Sequence, residues 1–145
     1  MSLARLFRRR QHVPFAEWGY DVRTFNLPRD GEVQYAQWLH PYETEKPMTQ
    51  GEVDGLRNFI KPGDFAIDIG AHTGDTTVPM ALAAGREGCV LGLEPNPYVF
   101  AVLEKNAALN RDQTHIEPRC FAATEQEGKF VFHYSDASFC NGGFR

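Results

Sequence analysis

The sequence predicts an α/β protein: a doubly wound, Rossmann-like sheet, incomplete, with the first β-α-β-α-β half plus an extra strand, preceded by an N-terminal β-hairpin and helix segment. Three observations lead there. From residue 65 onward, short apolar runs of strand length alternate with amphipathic stretches of helix length, the order of a parallel sheet with right-handed crossovers. The first run opens directly into a glycine loop, Gly70-Ala71-His72-Thr73-Gly74, and an acid, Glu94, closes the second run twenty positions after Gly74. The 145 residues, 42% hydrophobic and 23% charged, have the composition and length of one globular domain.

The elements follow in order. From Phe15 to Tyr42 the chain is rich in aromatics, with alternating apolar and polar residues on either side of Leu27-Pro28-Arg29-Asp30-Gly31, so a β-hairpin or short meander is expected. Thr49-Gln50-Gly51-Glu52 matches the capping box. The helix it starts presents Val53, Leu56 and Ile60 on one face and ends at Lys61-Pro62-Gly63-Asp64. Phe65–Ile69 reads as a buried parallel strand, Asp75–Ala84 as a helix with Pro79 near its first turn, and Cys89–Leu93 as a second buried strand. Asn96-Pro97 supplies an N-cap and a first-turn proline for a helix carrying Val99, Leu103 and Ala107 towards Asn110. His115–Ala122 is a third strand despite Pro118, and Lys129–Tyr134 a further one after the Gly128 turn. Three segments result: a basic, solvated tail over 1–12, a β-rich segment with its capped helix over 13–61, and a partial catalytic domain over 62–145.

Charge and cysteine usage narrow the function. Arg5, Arg8, Arg9 and Arg10 place +4 in the first twelve residues, so a chain of net charge -4 carries -8 on the other 133. An acidic body lacks the basic stripe that displaces counterions from nucleic acid, so no nucleic-acid partner is expected. No apolar run reaches the length of a membrane span and the start has no secretory h-region, which makes the cytoplasm the default compartment without stable membrane insertion. Cys89, Cys120 and Cys140 lie 31 and 20 positions apart, indicating three reduced thiols and neither a disulfide framework nor a metal knuckle.

In a doubly wound sheet, ligands bind beyond the carboxyl ends of the strands. The first strand-to-helix loop has glycines at both ends, so the backbone turns sharply and a ligand can approach without meeting a Cβ. Glu94, ending the next strand, can accept hydrogen bonds from both hydroxyls of a ribose. Two nucleoside cofactors share this layout. The dinucleotide pattern G-x-G-x-x-G needs a glycine where this chain has His72, and a pyrophosphate would be repelled by Asp68. S-adenosylmethionine has no phosphate and carries a sulfonium and an ammonium, so an acid beside the loop suits it. An NAD-dependent oxidoreductase is the alternative, and a non-catalytic remnant or partner-binding module the third reading.

The text from Pro62-Gly63-Asp64 through Asp68-Ile69-Gly70-Ala71-His72-Thr73-Gly74, Glu94-Pro95-Asn96-Pro97 and Asn106 to Asn110 resembles the FkbM-type class I methyltransferases over roughly residues 43 to 145. The resemblance implies transfer of the S-adenosylmethionine methyl group to a hydroxyl of a sugar, polyketide or related small molecule. By position, Asp68, Gly70, Ala71 and Gly74 would line the methionine end, with His72 in the same cofactor loop. Glu94 would bind the ribose, and Asn96 and Ala122 would lie near the adenine. The acidic strand-four motif of the family, of the Lys-x-Asp-x-Glu-Gly kind, has no counterpart before Arg145. The chain therefore matches the N-terminal part only, and a sheet without its later strands would expose one edge and an apolar face.

No general base is assigned: His72 is read as structural or hydrating rather than catalytic, and His12, His40, His115 and His133 as surface or loop residues. Trp18, Tyr20, Tyr35, Trp38 and Tyr42 are read as packing rather than as a substrate cap. Glu43, just ahead of the capped helix, is placed where it could touch the cofactor or substrate, but as a lone acid it is read as taking no part in the site. Asn141-Gly142-Gly143 is read either as a loop near the acceptor or as the point where the text stops.

Overall fold

A computed structural model describes residues 16–129, 131–135 and 140–144; the tail over 1–12 lies outside them. The expected hairpin is present. β1 (Tyr20–Leu27) pairs antiparallel with β2 (Gly31–Trp38), Tyr20 opposite Trp38 and Leu27 opposite Gly31, which takes a left-handed φ of 75° at the turn. α1 (Gln50–Leu56) starts with a complete capping box, Thr49 Oγ1 accepting from Glu52 N–H while the Glu52 carboxylate accepts from Thr49 N–H. It ends earlier than the apolar spacing suggests, because the Asn58 and Phe59 N–H groups bond back three residues to Gly55 and Leu56 and tighten the last turn. Ile60 still reaches the core. The Arg57 guanidinium grips the Asp30 carboxylate with both terminal nitrogens, tying α1 to the hairpin turn and holding the Asp30 carboxyl below its usual range.

β3 (Phe65–Ile69), β4 (Cys89–Leu93) and β5 (Ile116–Arg119) form a parallel sheet in the order β3-β4-β5, with α2 (Thr77–Ala84) and α3 (Pro97–Ala108) as the crossovers. The α/β reading holds for this half. Four details differ. α2 begins at Thr77 rather than Asp75, since the Asp75 carboxylate is engaged by Lys46 Nζ at 3.0 Å and Thr76 provides no side-chain cap. β5 is shorter than predicted and includes Pro118 opposite Gly92, tolerable because β5 pairs only with β4 among the described residues. The strand expected over Lys129–Tyr134 is β6 (Phe132–Ser135); it pairs with β7 (Cys140–Phe144) in a separate antiparallel ribbon, and β7 contains the Asn141-Gly142-Gly143 stretch. Finally, β3 is not buried on both faces: it is an edge strand among the described residues, with Ala66 and Asp68 facing inward and Phe65, Ile67 and Ile69 exposed at 64%, 50% and 67%.

The core lies between the hairpin and the inner face of the sheet. Val33 and Tyr35 of β2 pack with Val53 of α1, Val78, Ala81 and Leu82 of α2, and Val90 of β4. Trp38 and Ala36 pack with Val99 and Val102 of α3. His40, expected at the surface, is buried, its ring 4.7 Å from that of Trp38 and 5.5 Å from that of Trp18, so the aromatic segment supplies packing. Cys89 and Cys120 are free thiols. Among the described residues no helix is long and apolar enough to cross a membrane.

The hairpin and α3 are joined by two asparagine amides. Asn106 accepts from Ala36 N–H at 2.6 Å and donates to Ala36 C=O at 3.1 Å; Asn110 accepts from Gln34 N–H and donates to Gln34 C=O, both at 2.8 Å. Asn106 also donates to Thr73 C=O at 2.7 Å, so its fully buried amide is satisfied three times. Asn106→Ala strands a buried N–H and two carbonyls, and is expected to cost about 2–4 kcal/mol in urea-denaturation stability.

Candidate functional site

The carboxyl ends of β3 and β4 lie side by side, with Ile69 opposite Leu93. There the chain leaves β3 through a loop with three left-handed residues, Gly70 (φ 79°), His72 (φ 50°) and Gly74 (φ 96°). Gly70 and Ala71 N–H both donate to Leu93 C=O, at 2.9 and 3.0 Å, and Gly74 N–H closes the turn onto Ala71 C=O. The two glycines have different reasons. At Gly70 a Cβ would meet nothing within 4 Å, which leaves bare backbone facing open space. At Gly74 a Cβ would come within 3.1 Å of Leu103 Cδ1, so that glycine serves close packing of α3 against the loop rather than ligand approach.

Glu94 fastens this loop to the next one. Its carboxylate accepts from His72 N–H at 3.0 Å through one oxygen and from Asn96 N–H at 2.8 Å through the other. Burial pushes its carboxyl above the usual range, the two backbone N–H groups pull it back, and the negative charge of Asp68 adds to the rise. That mutual repulsion is felt because Asp68 and Glu94 emerge at the same end of the sheet. Asp68 accepts from the Thr77 hydroxyl at 2.7 Å, fixing its carboxylate against the start of α2. Asn96 is buried and caps α3 by accepting from Tyr98 N–H.

Asp68 of β3 and Gly70, Ala71, His72, Gly74, Glu94 and Asn96 of the two adjoining loops therefore lie at the same end of the sheet. Ala122 stands apart, beyond Pro95, in an open groove of about 590 Å³ that it lines with Phe121 and Cys120. Sequence reasoning singled out Glu43 but missed the rest of the backing of the loop. The Tyr35 hydroxyl lies 2.7 Å from Thr73 Oγ1, and burial pushes its phenol well up, with the Asp75 and Glu43 charges adding. Lys46 joins Asp75 to Glu43, and the Glu43 carboxylate reaches His72 Nδ1 at 3.5 Å. The available signal was the polar string Glu43 to Lys46 just ahead of the capped helix. Among the described residues no cluster of side chains is arranged to hold a metal ion.

Residues 68–142 match the family model of the Methyltransferase FkbM domain. Over 59 residues the chain is 39% identical to a protein-L-isoaspartate O-methyltransferase of Caenorhabditis elegans, covering 41% of this chain and 26% of that protein. Over 72 residues it is 35% identical to a probable cobalt-precorrin-6B C(15)-methyltransferase (decarboxylating) of Saccharolobus solfataricus, covering 48% and 36%. The chain thus spans about a quarter to a third of the length of these relatives. The crystal structure of P. horikoshii TYW2 in complex with MeSAdo shares the fold, with a TM-score of 0.56 at 20% identity, over 78% of this chain and 39% of that one.

The raised Glu94 carboxyl fixes the sign of a pH effect. Folding favours its protonated form, so its contribution is fully present below the unfolded carboxyl range and is lost as pH rises through the raised folded value. Raising the pH from about 4 should lower wild-type stability relative to Glu94→Gln, read from urea midpoints. A difference independent of pH would contradict the burial effect.

Proposed function

The chain belongs to the FkbM methyltransferase family, whose methyl donor is S-adenosylmethionine, and from that premise we propose that it is the cofactor-binding part of an O-methyltransferase acting on a small-molecule hydroxyl, as on a sugar or polyketide. The observation that carries the reading is Glu94, an acid at the end of β4 clamped by backbone N–H groups from both loops. Each of its oxygens holds one N–H and keeps acceptor capacity for a ribose hydroxyl. The residues fit the donor in two further ways. Gly70 leaves a bare backbone face beside the loop, and Asp68 and Glu94 make the strand ends acidic, which suits a cation and opposes a pyrophosphate.

In this reading, residues 62–145 bind the donor and residues 13–61 back its loop. Asp68, Gly70, Ala71, His72 and Gly74 surround the methionine end. Asn96 and Ala122 border the adenine, which the groove beside Pro95 and Phe121 would receive on an apolar wall. S-adenosylmethionine brings a methyl carbon already activated by its sulfonium. The work left to the protein is alignment and exclusion of water, for which a loop fixed by backbone bonds before the ligand arrives is well suited. The O-methyltransferase name of the nematode relative supports an oxygen acceptor.

Calorimetric titration with S-adenosylhomocysteine tests the reading. The chain should bind it, and Glu94→Ala should weaken binding at least about tenfold through loss of charge-assisted hydrogen bonds to the ribose. Unchanged affinity in the variant, or saturable binding of NADH instead, would overturn it.

A further inference from the structure

Four arginines of the described residues have carboxylate partners: Arg23 pairs with Asp21 and Glu45, Arg29 with Asp54, Arg57 with Asp30 and Asp54, and Arg119 with Glu117. Arg86 and Arg111 differ. Both are exposed and form no ion pair among the described residues, although Glu87 and Asp112 stand beside them in an acidic chain. Twenty-five positions apart in the sequence, they line one and the same open cavity of about 400 Å³.

That cavity lies where α2 and α3 end and β5 begins. Arg86 follows α2, Ala107 and Arg111 flank the end of α3, and Ile116 opens β5. It is therefore at the opposite end of the sheet from Asp68 and Glu94. Asn96, which caps α3 at the donor end, and Ala107 are separated by about 16 Å of helix. The one carboxylate in the cavity wall is already engaged: Glu117 holds Arg119 Nη2 at 3.1 Å with one oxygen and has His115 Nε2 at 3.3 Å from the other. With Glu117 offset by Arg119, the two positive charges of Arg86 and Arg111 remain. A cation suits the C-terminal end of a helix, which accounts for an arginine near each end. It does not account for two like charges on one hollow with nothing between them, an arrangement that a shared anion relieves.

We propose that Arg86 and Arg111 form a second ligand site, which takes the phosphate monoester of a small organic molecule. Two guanidinium forks match the several acceptor oxygens of a phosphate dianion. Ala107 and Ile116 give the cavity an apolar wall for the organic part, and its volume is that of a small-molecule site. A nucleic-acid backbone would need a continuous basic stripe, which this acidic surface lacks. The occupant lies out of reach of a methyl group carried at the carboxyl ends of the strands, so the site stands apart from the cofactor reading above.

Calorimetric titration of the 145-residue chain with phenyl phosphate tests the assignment. One equivalent should bind with a dissociation constant of about 1 mM or tighter, and equally well when S-adenosylhomocysteine is present in excess. Arg86→Gln and Arg111→Gln, at exposed positions that leave the fold intact, should each weaken binding about tenfold or more through loss of a charge-assisted contact. Arg29→Gln, which removes an exposed arginine elsewhere, should change it by less than about twofold. Inorganic phosphate should bind the same residues more weakly, since it leaves the apolar wall unused. No saturable binding, equal weakening by Arg29→Gln, or displacement by S-adenosylhomocysteine would each overturn the proposal. An RNA oligonucleotide that binds through Arg86 and Arg111 while phenyl phosphate does not would overturn it as well, by making the arginines a polymer contact.

Discussion

The amide side chains of Asn106 and Asn110 behave as a short second strand against β2, and the geometry of the rest follows from that pairing. Residues four apart on a helix rise about 6 Å along its axis, and residues two apart on a strand about 6.8 Å. Asn106 and Asn110 therefore meet Ala36 and Gln34 in register, each giving and taking one hydrogen bond. The outer edge of β2, which would otherwise present unpaired N–H and C=O groups, is closed without another strand. The second donor of Asn106 then reaches Thr73 C=O, so the helix that closes the hairpin also fixes the glycine loop. Gly74 suits the same arrangement, because its left-handed φ of 96° and the 3.1 Å that would separate a Cβ there from Leu103 Cδ1 both favour a residue without a side chain.

A loop held this way can support an electrostatic arrangement that would be unfavourable on a mobile segment. Glu94 is buried near Asp68 and bears the desolvation that follows, and two backbone N–H groups offset part of it. His72 adds a left-handed backbone at a residue with a Cβ, a conformation that persists where the surroundings over-determine it. Both features are costs to folding set at the strand ends, where the sheet architecture directs ligands. They are consistent with one another if the site is prepared for a cation before the ligand arrives, since the dipoles and charges then need no rearrangement.

What the sequence made legible was local or periodic. The capping box at Thr49, the Asn96-Pro97 helix start and the order of strands and helices from residue 65 each depend on neighbours within a turn or on a repeating pattern, and each is where the spacing put it. What stayed hidden depends on distant partners. Nothing in the spacing of Asn106 and Asn110 tells whether their amides face water or a strand edge seventy-odd residues earlier. His40 reads as a loop histidine until two tryptophan rings are folded onto it. The strand Phe65–Ile69 reads as buried on both faces because its outward residues are as apolar as a covered strand's, yet among the described residues no element pairs with that side.

The exposed face of β3 and the site nevertheless do not depend on each other, because every described anchor of residues 72–75 comes from the inward side. His72 is met by Glu43, Trp38 and Glu94, Thr73 by Tyr35 and Asn106, Gly74 by Leu103, and Asp75 by Lys46. Four of those seven residues, Tyr35, Trp38, Glu43 and Lys46, precede Pro62 and lie outside the segment that matches the family model. The hairpin segment is thus a wall of the loop rather than an appendage to the sheet. A version of this chain reduced to the family-matched residues would keep Asp68 and Glu94 but lose the hydroxyl, the carboxylate and the ammonium that hold the loop between them. The loop would then have to be ordered at the moment of binding, at a cost in conformational entropy of about 1–2 kcal/mol for each residue released.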